Sequence, residues 1–175
     1  SQALNAYNLE LTREQDFDRM AKKTAALFVL STESGAVLSR APEKVVQVLN
    51  EYGYNLGLAF QVVDDILDFI GTEEEMGKPI GADLLQGTFT LPAMLLRKYH
   101  PEDNAVKNLF MSKDGEINVK PVMELIRNSP SIVDECYEVA SGFCFKACRN
   151  LNQLANVPAR QSLFELADYV VRRKT

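Results

Sequence analysis

Three carboxylates stand within five residues in the stretch Gln61-Val62-Val63-Asp64-Asp65-Ile66-Leu67-Asp68. On a helix of about 3.6 residues per turn, Asp64 and Asp68 share one face a turn apart. Gln61 comes one turn before Asp64 on that face, and Asp65 flanks it. Val62, Val63, Ile66, Leu67 and Ile70 make the rest of the segment apolar. Acids clustered on a largely apolar helix repel one another and are costly to desolvate. A divalent cation between them relieves both penalties. Ligands that are all oxygen select Mg²⁺ or Mn²⁺ over zinc. Asp64, Asp65 and Asp68 are therefore the candidate metal ligands. A bare match of this kind is more often a solvated helix face, so the reading depends on what surrounds it.

The elements that must hold these acids are almost all helical. Thr12-Arg13-Glu14-Gln15 has capping-box spacing and predicts the start of a long helix reaching to about Ser39. Pro42 then opens a second helix, from about Glu43 to Ile70, which carries the aspartates and stops at Gly71. Gly71, Gly77, Pro79, Gly81 and Gly87 predict a loop over 71–90. A glycine-rich loop directly after an acid cluster is a functional candidate. Helices are expected from Leu91 to about Tyr99, from Pro101 through Phe110, and from Val119 to Asn128. A turn is expected at Lys113-Asp114-Gly115. A long helix over Ser131–Ala155 and a last one opened by Pro158 and ending near Arg173 complete the chain. No strand alternation and no internal repeat is visible, so the expected fold class is all-α, a bundle of long helices.

Composition narrows the function. The chain has 175 residues and is 46% hydrophobic, enough for one domain with a core. A net charge of −5 without a long basic run argues against a nucleic-acid partner. Arg172-Arg173-Lys174 sits at a predicted helix end, where cations suit the helix dipole. Cys136, Cys144 and Cys148 are odd in number and lack a framework spacing, which points to a reducing, cytoplasmic setting. They read as small buried hydrophobes. No uncharged apolar run is long enough to span a bilayer.

Three segments combine into a specific pattern: Lys22-Lys23-Thr24-Ala25-Ala26-Leu27-Phe28, Gly57 through Asp68, and the loop Gly77-Lys78-Pro79-Ile80-Gly81-Ala82-Asp83 through Pro92. In order and spacing they resemble the second half of the trans-type polyprenyl diphosphate synthases, over nearly the whole chain from about Tyr7 to Arg173. The resemblance implies an isoprenoid synthase-type helical bundle. It also implies head-to-tail prenyl transfer, in which an allylic diphosphate ionises and is attacked by isopentenyl diphosphate. Mg²⁺, with Mn²⁺ as a substitute, is the implied cofactor, held by Asp64, Asp65 and Asp68. Lys23 and Lys78 would contact the departing diphosphate. Thr24 and Gln61 would supply hydrogen bonds at the reacting end of the substrate, and Asp83 would orient Lys78 or a metal-bound water. The catalytic set is then Asp64, Lys23, Thr24 and Lys78.

Two departures qualify this. The family often carries a further lysine near the position of Thr88, and Gly87-Thr88-Phe89 has none. This variation resembles the longer-chain members. The family also uses two aspartate-rich motifs on facing helices, and only one is present. Asp16-Phe17-Asp18 has the wrong spacing and Asp103 is isolated. The expectation is therefore that residues 1–175 are the C-terminal portion of a single synthase domain without its N-terminal half, inactive alone, from a parent that is a homodimer or heteromer. Apolar surface beside the aspartate helix should then lie uncovered. The rival readings are a non-catalytic partner subunit of a heteromeric synthase and a terpene cyclase. The Lys-Thr pair and the Gly-Lys loop favour the synthase.

Overall fold

The structure, a computed structural model, describes residues 8–77, 79–102, 105–111 and 118–173. Among the described residues every regular element is helical, as the periodicity predicts. The helices are α1 (Arg13–Met20), α2 (Ala26–Leu38), α3 (Glu43–Ile70), α4 (Glu73–Met76), α5 (Ala82–Leu85), α6 (Leu91–Tyr99), α7 (Ala105–Met111), α8 (Lys120–Arg127), α9 (Pro130–Arg149) and α10 (Pro158–Arg172).

The expected capping box is formed. The Thr12 N–H donates to Gln15 Oε1 at 2.9 Å, and the Gln15 N–H donates to Thr12 Oγ1 at 3.2 Å. The helix it opens is not uniform, however. A π turn over Ala21–Ala25 separates α1 from α2. Such turns widen the backbone ring by one residue and leave no mark on apolar periodicity. α3 keeps its predicted bounds, and the Gly71 N–H closes its end on Leu67 O at 2.8 Å. The loop over 71–90 contains two single helical turns, α4 and α5. The helix expected from Pro101 begins only at Ala105, and the expected turn at Lys113-Asp114-Gly115 lies outside the described residues. α9 stops at Arg149 rather than Ala155. A 3₁₀ turn over Leu151–Gln153 takes its place, because asparagines at 150 and 152 hold the chain weakly in α geometry.

The chain packs as two compact units. One comprises Ser1–Asp16, Asp64–Cys136 and Lys174–Thr175; the other comprises Phe17–Val63 and Tyr137–Arg173. The core of the second gathers Val48, Tyr52, Leu56 and Ala59 of α3 with Cys144 and Ala147 of α9, Leu151, and Ala167 and Val170 of α10. Tyr52 is fully buried and its hydroxyl donates to Leu163 O at 2.8 Å. Without that partner the burial would be costly. All three cysteines are free; Cys136 and Cys144 are buried and Cys148 half-buried, so they serve as the small hydrophobes expected.

Arg172 pairs with Asp168 at 2.9 Å. Arg173 does more than favour its own helix end. Its guanidinium lies 3.9 Å from the Phe60 ring centre and donates to Phe60 O at 2.9 Å. The large apolar side chains left exposed include Leu27, Leu30 and Leu38 of α2. The aspartate turns of α3 are themselves largely buried, with Val62, Val63, Ile66, Leu67 and Phe69 in the core. Among the described residues no helix is long and apolar enough to cross a membrane.

Candidate functional site

The residues singled out by type and spacing fall in two places, each inside one unit. In the second unit, Thr24 lies in the π turn and Gln61 on α3. The Thr24 hydroxyl donates to Gln61 Oε1 at 2.6 Å. Their helices come this close because Gly57 has no side chain. A Cβ there would stand 2.5 Å from Ala25 Cα, well inside contact distance. Gly53 is closed in the same way by Thr32 Oγ1 and Phe28 O. Gly57 thus brings α3 against the turn that presents Thr24, and Gly53 brings it against α2. Lys23, next along that turn, is exposed.

In the first unit, the last turns of α3 meet the loop that follows. Asp68 is fully buried. Its carboxylate accepts the Ala82 N–H at 3.3 Å on Oδ1 and the Asp83 N–H at 3.1 Å on Oδ2. Its own carbonyl accepts the Gly81 N–H at 2.9 Å. Gly81 holds φ at 72°, a left-handed conformation that a side chain resists. Asp83 is half-buried, and its carbonyl accepts the Thr88 N–H at 2.8 Å. At the helix end Arg127 donates Nε to Phe69 O and Nη2 to Gly71 O, each at 2.8 Å. The loop is therefore held by an acid at one point and a guanidinium at another.

Asp64 is half-buried, whereas Asp65 is 2% exposed. Burial pushes the Cys136 thiol up to about 12; the negative charges of Asp65 and Glu135 push the same way and Arg13 opposes them. Asp65, one position round the helix from Asp64, is the more deeply buried of the two. Lys78 lies outside the described residues.

Among the described residues, no three His, Cys, Asp or Glu side chains gather as a ready-made metal cage. That is compatible with Mg²⁺, which is usually held by one or two carboxylates together with phosphate oxygens and waters. Asp64 and Asp68 supply hard oxygen donors a turn apart on unbroken α3. A carboxylate offers about four acceptor sites, and the Ala82 and Asp83 amides use both oxygens of Asp68. The donor set fits a cation shared with a phosphate ligand.

The same sequence that builds these places matches a known family: residues 1–126 fit the sequence model described as Polyprenyl synthetase. The chain belongs to that family. Its similarity to heptaprenyl diphosphate synthase component 2 of Bacillus subtilis (strain 168) is 38% identity over 173 residues, 99% of this chain and 49% of the relative. A prenyl transferase of Synechocystis sp. is 36% identical over 98% of this chain and 52% of its own length. Among solved structures, heptaprenyl diphosphate synthase from Staphylococcus aureus superposes with a TM-score of 0.91 at 32% identity, covering 99% of this chain and 54% of that one. The polyprenyl synthase from Caulobacter crescentus CB15, complexed with calcium and isoprenyl diphosphate, gives a TM-score of 0.90 at 32% identity and the same coverage. The chain spans about half the length of the curated relatives it matches.

Thr24, Gln61 and Asp68, marked out by residue type and spacing, each take part in a hydrogen bond in the folded chain. Arg127, a basic residue closing a short helix, and the π turn are not marked out in the sequence. Neither carries a local signal: Arg127 becomes relevant only when α8 is folded beside the end of α3.

Proposed function

We propose that this chain supplies the second aspartate-rich half of the diphosphate site of a polyprenyl diphosphate synthase. The synthase would extend an allylic diphosphate with isopentenyl diphosphate. The observation that carries this reading is the bonding of Asp68 to the Ala82 and Asp83 amides. It ties the Gly-Lys loop directly to the acid cluster, as a site for a multiply charged anion and its cation requires. The Caulobacter relative, solved with calcium and isoprenyl diphosphate, supports the same ligand class.

Asp64 and Asp68 are the principal cation ligands in this proposal, with Asp65 as the flanking acid. When bound, Mg²⁺ would supply Lewis-acid stabilisation of the leaving diphosphate. Lys23 and Lys78 neutralise diphosphate oxygens. Thr24, already oriented by Gln61, presents its hydroxyl to the reacting end of the substrate. Asp83 keeps the loop in register. Because the reaction passes through an allylic cation, the apolar residues around the aspartates contribute by excluding water. The family's other aspartate-rich motif is not in these 175 residues. By themselves they are therefore expected not to turn over the two substrates.

Isothermal titration with Mg²⁺–pyrophosphate tests the reading. The wild-type chain should bind, and Asp64→Asn and Asp68→Asn should each lose at least tenfold in affinity. Undiminished binding by both variants would reject the assignment. A heteromeric parent is the second reading, favoured by relatives from Bacillus subtilis and Geobacillus stearothermophilus that are named component 2. Co-purification of this chain with a second, different subunit would distinguish it from a homodimer.

A further inference from the structure

One stripe of α8 reaches both ends of the segment that follows the aspartates. Val119, just before α8, and Met123 and Arg127 within it are spaced by four and so line one face. A Cβ at Gly81 would stand 3.1 Å from Val119 Cγ2 and 3.2 Å from Met123 Sδ. The left-handed turn at Gly81 is thus backed directly by this face. Two turns further along, Arg127 takes Phe69 O and Gly71 O at 2.8 Å each. Phe69 O is among the last four carbonyls of α3, which have no partner inside the helix. The guanidinium also brings positive charge to the negative end of a 28-residue helix whose last two turns carry three acids.

We infer that Arg127 is a positioning residue for the diphosphate-binding segment. It fixes where the chain leaves α3, as Asp68 fixes where it enters α5. The segment between Gly71 and Gly81 is thereby anchored at both of its ends. The planar fork of arginine is what the geometry uses, because it spans two carbonyls at once. A lysine keeps the charge but presents a single flexible ammonium. The effect expected on ligand binding rests on the proposed function; the restraint of the segment does not.

Amide hydrogen exchange and Mg²⁺–pyrophosphate titration on wild type, Arg127→Lys and Arg127→Met test this. Losing one or both bonds should speed exchange at Gly81, Ala82 and Asp83 by about tenfold, with α10 amides unchanged. Affinity for Mg²⁺–pyrophosphate should weaken about tenfold in the same variants. Arg127→Lys keeps charge and stem, so it serves if Arg127→Met does not fold. Unaltered exchange at 81–83 overturns the inference. So does an equal rise across α10, which would mean that Arg127 only supports the global fold. Faster loop exchange with undiminished affinity also overturns the positioning role. If wild type binds no Mg²⁺–pyrophosphate while exchange changes as expected, the restraint stands and the diphosphate reading fails.

Discussion

Around Gly53 and Gly57, α3 is held by the closeness of its neighbours. Around Asp68 and Phe69, the same helix is held by hydrogen bonds to a loop and a guanidinium. The first region has no room for one more carbon atom. The second depends on donors and acceptors being in place. Close packing resists added volume because the interior cannot relax around it. A polar anchor resists the loss of partners, because a buried acceptor or donor left unmade costs its desolvation. One helix therefore meets its neighbours through close packing beside Thr24 and Gln61, and through specific hydrogen bonds at its C-terminal end.

Gly57→Val should give the largest effect. Its side chain would meet Ala25 backbone, which cannot swing aside. A loss of about 3 kcal/mol in denaturant-measured stability is expected. A loss below about 0.5 kcal/mol would break the contrast between the two regions. Thr24→Val is smaller. It removes the 2.6 Å bond to Gln61 while keeping shape, and should cost about 1 kcal/mol. If Gln61 holds Thr24 for ligand contact, Gln61→Leu should lower affinity for an allylic diphosphate without a larger stability loss than Thr24→Val.

The smallest effect is silent at neutral pH. Burial raises the thiols of Cys136, in the aspartate-bearing unit, and Cys144, in the glycine-packed unit, from 9.0 to about 12 each. The unfolded chain therefore ionises first as pH rises. Their contribution to stability is whole below about pH 9 and is lost progressively toward about pH 12. Cys136→Ala should flatten part of that alkaline decline. Equal slopes for wild type and variant would refute it. Burial comes first at both thiols, with Asp65 and Glu135 adding to it at Cys136, and Cys148 and Asp168 adding to it at Cys144, so the two should behave alike here.

Much of this was readable in advance. The capping box at Thr12 and Gln15, the bounds of α3, Pro158 at the start of α10 and the all-helical class follow from local rules of period, cap and breaker. The interrupted first helix did not, since a π turn changes one ring of hydrogen bonds and leaves the side-chain pattern intact. The 3₁₀ turn after Arg149 was missed because an apolar pattern continued through Leu151 and Leu154. Arg172 and Arg173 read as one basic helix end, yet they part company: Arg172 pairs with Asp168, whereas Arg173 crosses to Phe60 of another helix.

The sequence by itself determined the residue types and the periods: three acids at the end of a long apolar helix, a glycine-lysine loop after them, and a Lys-Thr pair upstream. These are local facts, written in neighbours a few positions apart. Only the tertiary structure decided which partners those residues meet. It joined Thr24 to Gln61, Asp68 to the amides at 82 and 83, and Arg127 to the end of α3. Such pairings cross from 14 to 58 positions of chain, and no local pattern specifies them. They form because burying the helices' apolar faces brings distant polar groups together, where each must find a partner.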